Sequence, residues 1–143
     1  MKQTIVPAGA GKNYDWDLDH VFVKTPQQVA NGRVTIVEDT LKPGFHLARH
    51  HHKAMAELFY ILTGEVVFEF DDEVVTATSG MMINIPAGIR HDVRSERGAT
   101  LLTIFSPGGF DNYLSECASL TPAQSASPEF LAALAEKYDI WPD

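Results

Sequence analysis

His50, His51 and His52 stand in a row and make up half of the chain's six histidines, with Glu57 five residues beyond them. In a β-strand successive side chains point to opposite faces, so His50 and His52 share one face while His51 takes the other. Glu57 heads the apolar run ELFYILTGE, and His91 begins a later run after GMMINIPAG. Two histidines, a carboxylate and a distant third histidine form an N₃O donor set suited to one divalent transition metal ion. Fe, Mn, Ni, Co, Cu and Zn all accept such ligands, so the residue types do not select the ion. Taken alone, His50 and His52 read more readily as a polar strand face than as a metal site. Glu57 and His91 in step with them carry the metal reading.

Strands have to hold these groups. From about residue 20 to 106, runs rich in Val, Ile, Phe and Thr alternate with turn residues at the short spacing of an all-β sandwich or barrel. RVTIVEDTL, LFYILTGEVVFEFDDEVVTATSG, MMINIPAGIRHDV and ATLLTIFSPGG are the clearest. Thr63-Gly64 and Asp71-Asp72 read as hairpin turns, which predicts a meander of antiparallel strands. Phe59, Ile61, Phe68, Phe70, Met81 and Met82 are assigned to the core, and His46 shares the parity of His50 and so is a weaker candidate for lining the barrel. The tail, about 108–143, changes to helical intervals of Leu, Ala, Phe and Tyr. Thr121-Pro122 and Ser127-Pro128 each read as an N-cap followed by proline at the first helical position. One or two short C-terminal helices are expected, and the N-terminal 15 or so residues are expected to form an arm or edge strand.

The glycine frame around the ligands has its own spacing: G-x(5)-H-x-H-x(4)-E-x(6)-G from Gly44 to Gly64, and G-x(5)-P-x-G-x(2)-H from Gly80 through Pro86 and Gly88 to His91. These two stretches resemble the paired motifs of the cupin superfamily, directly over residues 44–95 and more loosely to about 106. The resemblance implies an antiparallel β-barrel or jelly roll, with His50, His52, Glu57 and His91 as metal ligands and with the glycines and Pro86 shaping hairpins at its mouth. Ser95 stands where the second motif usually has Asn. The motifs and the ending FSPGGFDNYL are similar to quercetin-dioxygenase-like single-domain cupins, which implies a metal-dependent dioxygenase acting on a small enolisable or dihydroxylated aromatic substrate. Four ligands on an ion that accepts six leave two adjacent positions for substrate oxygens or dioxygen, and Glu57 is a candidate general base as well as a ligand. Similar proteins also include non-redox isomerases, cyclases and lyases, and non-catalytic small-molecule-binding cupins, so three readings stay open.

The bulk properties narrow the partners. A chain of 143 residues is the size of one domain, expected over 1–143. A formal charge of -8 argues against nucleic acid and against anionic membranes, both of which need clustered Lys and Arg. A small-molecule substrate is expected instead. The start has no apolar run of signal-peptide type and Cys117 is the single cysteine, so a cytoplasmic location is expected. Exposed sheet edges of a barrel this small favour a homodimer. Arg49, Arg90 and Arg94 flank the ligands, either as cations for an anionic substrate or as solvated rim charge, and Cys117 is expected to be a buried small hydrophobe.

Overall fold

The computed structural model describes residues 2–143 as two antiparallel sheets packed face to face. The first holds β1 (Lys12–Asp15), β2 (Asp19–Val23), β3 (Thr35–Leu41), β5 (Ala56–Gly64), β8 (Met82–Ile85) and β10 (Ala99–Ser106), in the order β1-β2-β3-β10-β5-β8. The second holds β4 (Phe45–His51), β6 (Val66–Glu69), β7 (Val74–Ala77), β9 (His91–Ser95) and β11 (Trp141–Pro142), in the order β11-β4-β9-β6-β7. Helices α1 (Gln27–Ala30), α2 (Phe110–Ala118), α3 (Pro122–Ser125) and α4 (Pro128–Lys137) complete the molecule. Among the described residues no helix is long and apolar enough to cross a membrane. This is the jelly-roll-like arrangement that the strand rhythm and motifs predict, with short helices at its C-terminal end.

Alternation places the core. Along β10, Leu101, Thr103 and Phe105 turn inward, and on β5 Glu57, Phe59 and Ile61 do the same. Leu101 is in register with Ile61, Thr103 with Phe59, and Phe105 with Glu57. From the opposite sheet, Val66, Phe68 and Val93 meet them to form one apolar cluster. A second cluster, of Val21, Val37, Met55, Phe105 and Leu114, sits where α2 packs on the barrel, and Phe105 stacks on Phe110 at 4.0 Å between ring centroids.

Three expectations are corrected. Asp71-Asp72 does close a hairpin, since β6 pairs with β7, but Thr63-Gly64 does not. There the chain leaves one sheet for the other: Gly64 pairs with Ala99 on β10, and the next strand belongs to the second sheet. Gly64 has φ 83°, and a Cβ on it would lie 2.6 Å from the Gly98 carbonyl oxygen, so the crossover requires glycine. Period-two patterning says which face is buried and not which strand lies alongside, so the meander becomes a jelly roll. Met81 and Met82 are exposed, because β8 is an edge strand whose inward positions are Ile83 and Ile85. His46 points outward, its side chain 57% exposed and 4.0 Å from Asp92. A bulge explains it: Leu47 pairs with Val93 and His50 with His91, so three steps on β4 match two on β9 and parity reverses between them.

At the tail the caps form as predicted. Thr121 makes a reciprocal capping box with Gln124, and the Ser127 hydroxyl accepts from the Phe130 amide. The strand β11 has no counterpart among the sequence expectations. It pairs Trp141 with His51 and Pro142 with His50, which makes the C-terminus the outer edge of the histidine-bearing sheet.

Candidate metal centre

Glu57 comes from the first sheet, His50 and His91 from the second and His52 from the loop beside it, and all four predicted ligands are buried. His50 ends the inward run of β4, His52 lies just past its end, and His91 opens β9 directly across from His50. The motif turn is tied to them, since the Gly88 amide donates to the His52 carbonyl at 2.6 Å. One ligand atom from each of the four residues lies within 4.8 Å of the others. His51 is excluded from the centre as strand alternation requires, and its Nδ1 lies 3.4 Å from Asp143 Oδ1.

Each of the three rings is held from behind. Nδ1 of His50 donates to the Ala48 carbonyl at 2.8 Å, that of His52 to the Asp139 carbonyl at 2.8 Å, and that of His91 to the Ile89 carbonyl at 2.9 Å. A carbonyl can only accept, so in each neutral ring the proton sits on Nδ1 and the Nε2 lone pair faces the centre. There His52 Nε2 is 3.2 Å and His91 Nε2 is 3.0 Å from the same Glu57 Oε1. Lone pairs facing a carboxylate repel unless a proton or a cation lies between them. The residues therefore fit a divalent ion: three imidazole donors with fixed tautomers, one carboxylate and no positive charge of their own.

A proton can take the cation's place between ring and carboxylate: burial pushes the Glu57 carboxyl up, but hydrogen bonds from His52 and His91 then outweigh it and hold its pKa at about 2. Burial also disfavours charge on His52, but Glu57 more than offsets this and raises it, whereas His50, more dominated by burial, is lowered.

Asp139 is the residue that sequence reasoning missed. It lies at φ 63° after α4, its carbonyl holds His52, and its carboxylate accepts from the amides of Lys53, Ala54 and Met55 at 2.7, 2.9 and 2.8 Å. It thus clamps the loop between ligands His52 and Glu57. Burial opposes ionisation of Asp139, but those amides keep its carboxyl below the usual range. Lys53 covers the Trp141 ring at 3.4 Å, and Trp141 Nε1 donates to Asp139 Oδ1 at 3.0 Å, which completes the clamp. A contact 86 residues away in sequence has no local signal. Ser95, the departure from the motif, is buried and donates to the Glu65 carbonyl at 2.8 Å, which is a structural task.

The three flanking arginines serve carboxylates of the chain itself. Arg49 bonds Asp71, Arg90 bonds Asp143 at 2.9 Å, and Arg94 bonds Glu69 at 3.0 Å. They read as rim charge. Cys117 is half-buried, and burial raises its thiol pKa.

Residues 37–105 match the family described as the cupin domain. The fold agrees with solved structures. KdgF from Halomonas sp. is similar with a TM-score of 0.66 and 14% identity over 76% of this chain and 98% of that one. Ectoine synthase from P. lautus is similar with a TM-score of 0.62 and 19% identity over 73% and 78%. TT1209 from Thermus thermophilus is 33% identical over 53% of this chain and 74% of that one, with a TM-score of 0.50. No curated protein matches the sequence. The chain thus has the cupin fold, with the cupin-domain match falling on the two glycine-framed stretches that carry the ligands.

Proposed function

We propose that this cupin is a metal-dependent enzyme, similar to the quercetin-dioxygenase-like members of the superfamily, that oxidises a small enolisable or dihydroxylated organic substrate with O₂. The observation that carries the reading is the convergence of three tautomer-fixed imidazoles and Glu57 beside an apolar cavity. His50, His52, Glu57 and His91 would hold the ion, which would supply Lewis acidity toward substrate oxygens and a redox route to O₂. Glu57 is the one ligand on the cavity wall, so it is the group placed to accept a substrate proton. As a ligand of the ion it would be a weak base. Burial favours its neutral form, so loosening from the ion would raise its proton affinity. Phe59, Phe105 and Val93 on the walls exclude water from the reacting oxygens.

The same ligands and base would also suit a non-redox isomerase, cyclase or lyase, and O₂ consumption separates the two. Metal analysis of protein made without a histidine tag should find a transition metal. An oxygen-electrode screen of flavonols, diketones and catechols should then find uptake in step with substrate loss. Conversion at an undiminished rate under strict anaerobiosis would replace the oxygenase reading with the non-redox one.

A further inference from the structure

Next to Glu57 the sheets enclose a cavity of about 200 Å³. Among the described residues lining it, three carry a carboxyl group, Asp19, Asp39 and Glu57, and none carries a cation. Most of the rest are aliphatic or aromatic. Asp39 follows Thr35 and Val37 on the inward parity of β3, opposite Val21 and diagonal to Asp19 on β2. Its Oδ1 is sealed from solvent with no N–H or O–H donor in reach, and the side chain's hydrogen bond is with the Asp19 carboxyl. Two carboxylates repel, so that bond needs a shared proton.

Burial first, and then the Asp19 and Glu57 charges, raise the Asp39 carboxyl well above the usual range, whereas burial raises Asp19 less because Asp39 hydrogen-bonds to it. Asp39 is therefore the member of the pair whose neutral form is the more favoured. The lysine near Asp19 is engaged elsewhere: Lys42 Nζ bonds Asp15 and the Trp16 carbonyl. With a proton held between the two carboxyls, the pair has only acceptor oxygens left for a ligand, in a chamber whose lining besides Glu57 and the Thr103 hydroxyl is aliphatic or aromatic.

We propose that Asp19 and Asp39 form the recognition end of the substrate cavity, accepting a hydrogen bond from a hydroxyl on the end of the substrate remote from Glu57 and refusing a carboxylate there. The proposal rests on the reading of the His/Glu cluster as a metal-dependent catalytic centre. It narrows the substrate to a small, largely apolar molecule with a chelating oxygen pair at one end and a neutral hydrogen-bond donor at the other. A hydroxyl suits a chamber of this polarity, since it needs one acceptor, whereas an anion would meet three carboxyl groups with no counter-charge on the walls.

The test uses the zinc-loaded chain, which cannot oxidise the probes, and calorimetric titration with catechol, 4-methylcatechol, 4-(hydroxymethyl)catechol and 3,4-dihydroxybenzoate. The hydroxymethyl probe should bind roughly fivefold to tenfold tighter than the methyl probe, as one good hydrogen bond implies, and the benzoate at least about tenfold weaker. Asp39→Asn should keep this order, because its amide can donate to Asp19 in place of the shared proton and its carbonyl still accepts. Asp39→Leu should abolish it. Equal binding of the methyl and hydroxymethyl probes, or an order unchanged in Asp39→Leu, overturns the proposal. An independent readout needs neither metal nor probe: the metal-free chain at neutral pH should show the infrared carbonyl band of a protonated carboxyl, absent from Asp39→Asn. A wild-type chain without that band also overturns it. Failure of plain catechol to bind the zinc-loaded chain is a different result, which would remove the metal-centre reading itself.

Discussion

His51 and His52 are chemically identical and adjacent, and only the direction of the side chain separates their roles. His52 is buried with Nδ1 on Asp139 and Nε2 at the centre, whereas His51 lies on the other face beside Asp143. His52→Ala is expected to lose the metal on dialysis and all metal-dependent activity. His51→Ala should keep about one ion per chain and lose no more than about 0.5 kcal/mol of stability, the scale of one partly exposed polar contact. Elemental analysis of the two dialysed variants checks this, and equal metal contents would contradict the face assignment.

At the scale of elements, the C-terminal segment acts as a clamp on the ligand loop. The short α4 ends at Lys137, Asp139 turns the chain through a left-handed conformation, and β11 adds to the edge of β4. Asp139→Ala removes the acceptor for three amides and favours a different backbone conformation at a residue with φ 63°. The expected cost is about 1–3 kcal/mol of stability, with a loss of about tenfold or more in metal affinity as the carbonyl that orients His52 shifts. A competition titration against a metal-buffering chelator measures the second effect. Asp139→Asn, which tolerates the same backbone conformation and keeps one acceptor oxygen, should fall between Asp139→Ala and the unaltered chain. If Asp139→Ala binds metal like the unaltered chain, the clamp is only structural.

For the whole molecule, the centre joins two sheets that otherwise meet through apolar side chains, since Glu57 stands on one and the histidines on or beside the other. An ion bound only by the native state at a hundred times its Kd adds about 2.7 kcal/mol. For a chain of this size that is a rise in Tm of about 5–10 °C. Protons compete with the ion for imidazole, and Glu57 holds the His52 pKa above its ordinary value of 6.5, so competition starts at a higher pH than for a free histidine. The metal-induced rise should therefore be full near pH 8 and shrink steadily as pH falls through the histidine range, which calorimetric scans with and without Zn²⁺ would show. A rise that did not depend on pH would place the ion elsewhere.

Features that depend on periodicity and spacing were readable along the chain. Alternation separated His51 from His50 and His52, the turn glycines set the motif frame that brings Glu57 and His91 into it, and Ser-Pro and Thr-Pro marked both helix caps, because each of these is decided within a few residues. Sequence reading passed over Asp39, although an acid on the inward parity of an apolar strand was a signal that could have found it. Tertiary structure decided what depends on contacts between distant segments. A bulge on β4 reversed parity and turned His46 outward, Gly64 carried the chain between sheets where a hairpin was expected, and edge placement left Met81 and Met82 in solvent. It also brought Asp139 behind His52, 87 residues away in the chain. Local pattern constrains the direction of a side chain, but which strand lies beside which, and therefore what stands behind a ligand or across a cavity, follows from the packing of the whole chain.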